Sequence, residues 1–192
     1  MQYSTFAAID IGSYDVILEI FEISKKQGIR SVDKICHRME LGKDTYTLGK
    51  IRPEMEEELC RVLADFVRII EGYRAMASSA ISEAANSLYV LGKIRQLTGL
   101  SVTVLSNSEQ RFLGYKALAA MEDNFNKIIE KGTAILDLDG GSFQISLFDK
   151  DALVTTQNIR MGSLRIRERL AGIQSETEHY EEMVEELIWN EV

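Results

Sequence analysis

Histidine, cysteine and proline are all scarce in this chain. Its 192 residues include two histidines, two cysteines and a single proline. The cysteines, Cys36 and Cys60, and the histidines, His37 and His179, show no metal-ligand spacing. The sequence therefore argues against a zinc site and against a catalytic triad that depends on histidine.

Basic residues and long apolar runs are also in short supply. Lysine and arginine number 22 against 30 acidic residues, which gives a net charge of −8. Because no basic patch stands out, direct binding of nucleic acid is not expected. No apolar run approaches the length of a membrane span, so no membrane partner is expected either. Residues 1–4 lead straight into a predicted strand with no basic leader, and we therefore expect a cytoplasmic protein.

Two short turns that combine aspartate with glycine are the most informative motifs present. They span residues 10–13 (Asp-Ile-Gly-Ser) and 137–142 (Asp-Leu-Asp-Gly-Gly-Ser), each between two apolar runs. Glycine lets consecutive amides point at one anion, and a strand-end aspartate can hold a metal-bound water. A single turn of this kind is equally typical of a plain hairpin. Because the turn recurs, we predict an internal duplication in which the two turns face each other as a phosphate clamp.

Apolar spacing predicts a first half of the order βββαβαβα. The predicted strands are 4–11, 15–24, 28–41, 73–77 and 102–105, and the predicted helices are 53–71, 81–98 and 107–122. Pro53 marks the start of the first helix, and a capping box from Ser106 to Glu109 opens the last one. Residues 41–50, which contain two glycines, are predicted to form a loop.

The second half repeats this pattern but stops early, as βββα(α). Its predicted strands are 133–139, 142–148 and 152–160, followed by a helix over 163–170 and a final helix opened by a capping box over 175–178. We predict lobes over 1–123 and 132–192, with 121–131 as the hinge. The missing strands come either from sequence beyond Val192 or from a partner chain that covers the open sheet edge. The apolar stripe of the final helix either packs on its own sheet or forms a homodimer contact.

Five stretches occur in the order found in a known family: 8–13, 77–86, 104–106, 137–142 and 160–163. On these stretches the chain resembles the exopolyphosphatase/guanosine pentaphosphate phosphatase (Ppx/GppA) family, within the actin-like ATPase superfold. The resemblance implies an α/β fold of duplicated RNase H-like lobes, the second of them truncated here. It also implies a hydrolase that uses Mg²⁺ to remove terminal phosphates from polyphosphate or guanosine pentaphosphate.

The resemblance also assigns a candidate site, residue by residue. The residues matched to phosphate binding are Gly12, Ser13, Gly140, Gly141 and Ser142. Metal binding is assigned to Asp10 and Asp137, and Asp137 is also expected to position the catalytic water.

Departures from the family pattern cluster at this site. The residue at the position of the family's general base, a glutamate, is Gln110. A neutral amide can orient a water but cannot accept its proton. The neighbouring Glu109 either takes over as the catalytic base or serves only the capping box. The other departures are Tyr14 for asparagine, Ser82 for arginine, Asp139 for glycine and Gln144 for glutamate.

These departures leave two functional hypotheses. The chain is a Mg²⁺-dependent phosphoanhydride hydrolase with impaired catalysis, or it is a weak or inactive family member that binds a phosphate compound or a protein partner. Loss of a general base lowers a rate by about 10²–10⁴, so the fold is more firmly predicted than the activity.

Overall fold

The structure is a computed structural model that describes residues 4–26, 28–122, 124–171 and 179–191. Its strands are β1 (Ser4–Ile11), β2 (Asp15–Ser24), β3 (Gly28–Arg38), β4 (Tyr73–Ala77), β5 (Val102–Val104), β6 (Thr133–Leu138), β7 (Phe143–Asp149) and β8 (Ala152–Ile159). Its helices are α1 (Leu41–Leu48), α2 (Pro53–Val67), α3 (Ser79–Ser82), α4 (Ser87–Thr98), α5 (Asn107–Met121), α6 (Phe125–Ile129), α7 (Ser163–Leu170) and α8 (Tyr180–Glu191). Within those ranges, none of the helices has the length and apolar character needed to cross a membrane.

The chain divides into two compact units, Met1–Leu105 and Ser106–Val192. Helix α5 therefore belongs to the second unit. The predicted lobes, 1–123 and 132–192, were defined by a repeated order of strands and helices, whereas these units are defined by contacts within the chain. The lobe boundaries therefore stay predictions.

The first unit is built on a mixed five-stranded sheet in the order β3-β2-β1-β4-β5. Strands β1 and β2 form a hairpin in which Ile11 pairs with Val16, whereas β4 runs parallel to β1 and β5 runs parallel to β4. Helix α2 buries Leu59, Leu63 and Phe66 in the core of this unit, as its helical spacing predicted. This packed core holds the first glycine turn at the end of β1.

The prediction of a loop over 41–50 was wrong, because this stretch contains helix α1. Glu40, with φ of 53°, turns the chain into the helix, and Gly49, with φ of 69°, ends it. The Asp44 carboxylate is 2% exposed and accepts hydrogen bonds from the backbone N–H and the Nε of Arg52. Thr45 donates its hydroxyl to the Ala80 carbonyl oxygen (2.6 Å). These tertiary contacts outweigh the glycine-rich composition that favoured a loop.

The predicted helix 81–98 is in fact two helices, α3 and α4, separated at Asn86. The Asn86 side chain accepts from the Ile51 N–H (3.0 Å) and donates to the Ile51 carbonyl oxygen (2.8 Å). Its Nδ2 also donates to Glu56 Oε1 (2.8 Å). The Asn86 amide thus binds both the N–H and the carbonyl oxygen of Ile51. The helix is interrupted at the position that makes these bonds.

The second unit carries an antiparallel three-stranded sheet in the order β6-β7-β8. Tyr115 of α5 packs edge-on against Phe148 of β7, with ring centroids 5.1 Å apart. The predicted capping box at the start of α5 is confirmed, whereas the one over 175–178 lies outside the described residues. The stretch 121–131, predicted as a hinge, contains the short helix α6.

Candidate active site

The first glycine turn connects β1 to β2 and is braced by its own unit. Gly12 donates its N–H to the Asp15 carbonyl oxygen (3.0 Å). Ser13 is buried, and its hydroxyl lies 2.7 Å from the Tyr46 hydroxyl, which in turn lies 2.8 Å from the Ser79 hydroxyl. Both predicted phosphate-binding residues of this turn are therefore hydrogen-bonded parts of the fold.

Asp10 and Tyr14 flank the first turn. Asp10, a predicted metal ligand, is an exposed residue near the end of β1. The ring of Tyr14 lies 5.6 Å from the guanidinium carbon of Arg38, a cation–π distance. The Tyr14 carbonyl oxygen also accepts hydrogen bonds from the N–H groups of Met39 and Glu40. Tyr14 is therefore fixed by the end of β3 and the segment that leads into α1.

The second glycine turn, between β6 and β7, closes on the side chain of Asp139. The Oδ1 atom of Asp139 accepts hydrogen bonds from the backbone N–H groups of Gly141 (2.5 Å) and Ser142 (2.8 Å). Asp139 also donates its own N–H to the Ser142 carbonyl oxygen (3.0 Å). Successive backbone amides of this kind form an anion-binding concavity. Here the anion that they bind is a carboxylate of the same turn.

The carbonyl groups of this turn cap helix α7. The N–H groups of Leu164 and Arg165 both donate to the Gly140 carbonyl oxygen at 3.1 Å, and Arg165 Nε donates to the Gly141 carbonyl oxygen at 3.0 Å. This approach requires glycine at position 162, because a Cβ on Gly162 would lie 2.3 Å from the carbonyl carbon of Gly140. Gly162 thus shapes the turn, although the motif around it predicted no role for it.

Gln110, which the resemblance places at the general-base position, also contacts Asp139. Its Nε2 lies 3.2 Å from Asp139 Oδ2 and donates to it. A carboxylate can only accept hydrogen bonds, so the amide must face it with its nitrogen. The Gln110 oxygen is left as the atom that can accept a hydrogen bond from a water.

Glu109, the alternative base, is engaged in the cap of α5. Its Oε2 accepts from the N–H of Ser106 (2.8 Å) and from the Ser106 hydroxyl (2.7 Å). These two bonds, the backbone one first, lower the pKa of the Glu109 carboxyl below its ordinary value. A lower pKa makes Glu109 a weaker base at neutral pH. The geometry gives Glu109 a capping role, and its substitution for the missing base stays an untested prediction.

Asp137 lines a cavity of about 300 Å³ between α5 and the three-stranded sheet. Asp137 is an exposed residue of β6, yet its carboxyl is partly desolvated. This desolvation and, second, the like charge of Asp139 raise the pKa of Asp137 above its ordinary value of 3.8. Gln144 lines the same cavity and is 2% exposed. Its Oε1 has no hydrogen-bond partner among the described residues.

The oxygen atoms of this cavity fit a magnesium ion. Mg²⁺ takes oxygen ligands and is commonly held by one or two carboxylates together with waters and substrate phosphates. The Asp137 carboxylate and the Gln144 Oε1 are such ligands, and a cation would offset the repulsion between Asp137 and Asp139. In the part of the chain that the structure describes, His, Cys, Asp and Glu form no group of three or more that could hold a metal. The protein's own ligand set is therefore sparse.

Family membership follows from a match over most of the chain. The model of the Ppx/GppA phosphatase family matches residues 19–192. The chain belongs to the Ppx/GppA phosphatase family. The chain is 22% identical over 174 residues to the bifunctional 3-dehydroquinate synthase/phosphatase of Fusobacterium nucleatum, and the aligned region covers 85% of this chain and 26% of that protein. It is 26% identical over 144 residues to exopolyphosphatase 1 of Mycobacterium leprae, covering 72% of this chain and 41% of that protein.

Solved structures of the Ppx/GppA family share this fold. The crystal structure of the Aquifex aeolicus family member superimposes with a TM-score of 0.69 at 23% identity, covering 87% of this chain and 54% of that chain. The predicted α/β fold of the actin-like ATPase class is thereby confirmed. The chain spans about half the length of this solved relative and less than half of the two curated relatives.

The structure brings together only part of the predicted site. Gln110, Gly141 and Ser142 converge on Asp139, a residue noted in the sequence only as a departure. Asp137 shares its cavity with Gln144. The roles of Gly162 and of the Ser13–Tyr46–Ser79 hydroxyl chain left no recognisable signal in the sequence.

Proposed function

We propose that this Ppx/GppA family member hydrolyses terminal phosphoanhydride bonds of polyphosphate or guanosine pentaphosphate with Mg²⁺, in the cytoplasm and at a reduced rate. The observation that carries the proposal is the cavity in which the Asp137 carboxyl and the Gln144 Oε1 present oxygen ligands. Membership of the family supports the reaction type. The name of the Mycobacterium leprae relative, exopolyphosphatase 1, supports polyphosphate as a substrate.

The proposed chemistry uses the residues that the family resemblance assigns. Asp10 in the first unit and Asp137 in the second are the proposed metal ligands. When bound, Mg²⁺ neutralises negative charge on the phosphoryl oxygens. The proposed phosphate contacts are Gly12, Ser13, Gly140, Gly141 and Ser142, and the amides of Gly141 and Ser142 become available to phosphate only when the Asp139 carboxylate leaves them.

The proposed attacking water is oriented by Gln110. The Nε2 of this residue is held on Asp139, so its Oε1 accepts a hydrogen bond from the water without taking its proton. Solvent or the substrate's own phosphate oxygens must then accept that proton. We expect a rate about 10²–10⁴ lower than that of an enzyme with a carboxylate base.

Binding without turnover is the second candidate function, and the same Gln110 favours it. Because an amide stands at the base position and is held by Asp139, the site can retain a phosphate compound that it does not hydrolyse. Under this alternative the partner is a phosphate compound or a protein, including a second copy of this chain through the apolar stripe of α8.

Mg²⁺-dependent phosphate release tests the two candidates. The 192-residue chain is assayed with polyphosphate and with guanosine pentaphosphate, beside Asp137→Ala and beside Asp149→Ala. Asp149 is a matched control because it is an exposed aspartate at the end of β7 and does not line the cavity.

Slow release that is lost with chelator and in Asp137→Ala, but kept in Asp149→Ala, supports hydrolysis. Equal release from Asp137→Ala overturns the proposed role of Asp137. Absence of release from the unsubstituted chain overturns hydrolysis, and calorimetric binding of tripolyphosphate in the same preparation then identifies the binding function.

A further inference from the structure

We propose that Asp139 is a resident anion that keeps phosphate off the amides of the second turn, with Gln110 as its matched positioning partner. The inference rests on the proposed function only for the identity of the excluded ligand, a phosphate group. The contacts of Asp139 within the chain stand independently of that function.

The first argument is the number of donors that Asp139 already occupies. Its Oδ1 accepts from the N–H groups of Gly141 and Ser142, and its Oδ2 accepts from Gln110 Nε2. A phosphate oxygen bound by this turn would require the same two amides. Each backbone N–H carries one proton, and hydrogen bonds to a charged acceptor are among the stronger ones in proteins. A phosphate therefore gains these amides only after the carboxylate of Asp139 leaves them.

The second argument is charge. A carboxylate within the turn repels an incoming phosphate, and the repulsion is stronger in a partly buried site than in bulk water. The turn itself is shielded, since Gly140, Gly141 and Ser142 are all buried. Asp139 thus acts against phosphate both by occupying the donors and by its sign.

The third argument links Asp139 to the residue at the base position. A glutamate at position 110 in the same conformation would place a carboxylate oxygen about where Gln110 Nε2 now lies, 3.2 Å from Asp139 Oδ2. Two carboxylates at that distance cannot both remain ionised without cost. Gln110 is compatible with Asp139 because it donates. The two departures from the family pattern therefore form one coupled change.

The exclusion of phosphate is tested by binding of tripolyphosphate, measured calorimetrically with the whole chain. Asp139→Gly frees the two amides and removes the charge, whereas Asp139→Asn removes the charge but keeps an oxygen that can accept from the amides. We expect Asp139→Gly to lower the Kd at least about tenfold, and Asp139→Asn to lower it by less. Comparison of the two Kd values separates the effect of occupied amides from the effect of the negative charge.

Amide hydrogen exchange supplies a readout that needs no phosphate. In the unsubstituted chain, and in Asp139→Asn, the N–H groups of Gly141 and Ser142 are expected to exchange slowly. In Asp139→Gly they are expected to exchange at least about tenfold faster, while amides in the centre of β7 keep their rates. Equal exchange at these two amides with and without Asp139 overturns the inference.

Coupling between positions 110 and 139 is tested by a double-mutant cycle on thermal unfolding and phosphate release. Gln110→Glu is expected to lower Tm and to give no gain in release when Asp139 is present. In the Asp139→Gly background the same substitution is expected to leave Tm nearly unchanged and to raise release at least about tenfold. Additive effects on Tm in the two backgrounds overturn the pairing.

The outcomes separate this inference from the proposed function. If no variant binds tripolyphosphate, including Asp139→Gly, the proposed function and the exclusion of phosphate are both overturned. In that case the exchange rates and the cycle on Tm still decide whether Asp139 and Gln110 act as a pair. If the unsubstituted chain binds tripolyphosphate and Asp139→Gly binds it no more tightly, the inference is overturned and the proposed function is retained.

Discussion

The two glycine turns of this protein are built from similar sequences but are stabilised in different ways. In the first turn, the Tyr46 hydroxyl of α1 contacts the Ser13 hydroxyl and is itself hydrogen-bonded to the Ser79 hydroxyl of α3. In the second turn, Asp139 from within the turn takes the backbone amides. The first turn thus depends on distant elements of its unit, whereas the second is closed locally.

This difference shows that a shared motif does not specify a shared ligand. Glycine and serine make both turns compact, but they do not determine which group fills the amide concavity. In the second turn, the side chain of the single residue Asp139 supplies an internal anion. Substitutions that act on one turn and leave the other intact can therefore test the comparison.

The largest effect is expected from Gly162→Ala, with Gly12→Ala as its counterpart in the first turn. The new Cβ would lie 2.3 Å from backbone atoms of Gly140 and Gly141 in the first case, and 3.1 Å from the Asp15 carbonyl oxygen in the second. Neither glycine has a left-handed φ, so the cost is steric. We expect losses of about 3 kcal/mol for Gly162→Ala and about 1 kcal/mol for Gly12→Ala, measured by urea unfolding. Equal losses would contradict the tighter packing at the second turn.

A smaller effect is expected from Tyr46→Phe, which breaks the hydroxyl chain of the first turn. Ser13 and Ser79 are both buried, so removal of the central hydroxyl leaves two buried polar groups without this partner. We expect a loss of about 1–3 kcal/mol in the free energy of unfolding. Adding Ser13→Ala to Tyr46→Phe should restore part of the loss. A double variant that is less stable by the full sum of the single losses would contradict the hydroxyl chain.

The smallest effect is expected from Asp137→Asn and concerns pH. Because desolvation and Asp139 raise the pKa of Asp137 in the folded state, ionisation of this group costs stability at every pH above its folded pKa. Asp137→Asn should therefore raise Tm at pH 7. The rise is expected to be below about 2 °C, since solvent screens a partly exposed group.

The sign of this effect is checked by lowering the pH. As the pH falls through the folded pKa of Asp137 to below the ordinary value of 3.8, Asp137 becomes protonated in both states and the gain in Tm should vanish. Asp139→Asn in the same series should bring the titration of Asp137 closer to its ordinary range. A gain that persists at acid pH would show that it does not arise from the charge of Asp137.

Much of the fold was predictable from local patterns. Apolar runs placed the strands of both sheets, and helical apolar spacing placed α2, which buries Leu59, Leu63 and Phe66 in a core. The Ser106–Glu109 capping box, which opens α5, was also predictable, because it depends only on two residues that lie three positions apart.

The missed elements depend on long-range contacts. Helix α1 is held by Thr45 on Ala80 and by Asp44 on Arg52, and the break between α3 and α4 follows from Asn86 on Ile51. Composition alone cannot show that residues 35 positions apart will meet.

The candidate site was predictable as positions but not as contacts. The resemblance identified Gln110 and Asp139 as separate departures. Only the structure shows the hydrogen bond between them, and the Asp139 carboxylate on the amides of Gly141 and Ser142. The direction of a side chain at the tip of a turn does not follow from any periodic pattern in the sequence.

The row of three hydroxyls behind the first turn has a direction. Each hydroxyl has a single proton, so a row in which every hydroxyl donates in the same sense runs either from Ser13 through Tyr46 towards Ser79, or the opposite way. Only the second arrangement leaves the Ser13 proton available to an acceptor outside the row. If the row starts in the direction from Ser13 towards Ser79, an acceptor that takes a hydrogen bond from the Ser13 hydroxyl requires the hydroxyls of Tyr46 and Ser79 to turn as well, so a ligand at this turn changes hydrogen bonding as far away as Ser79.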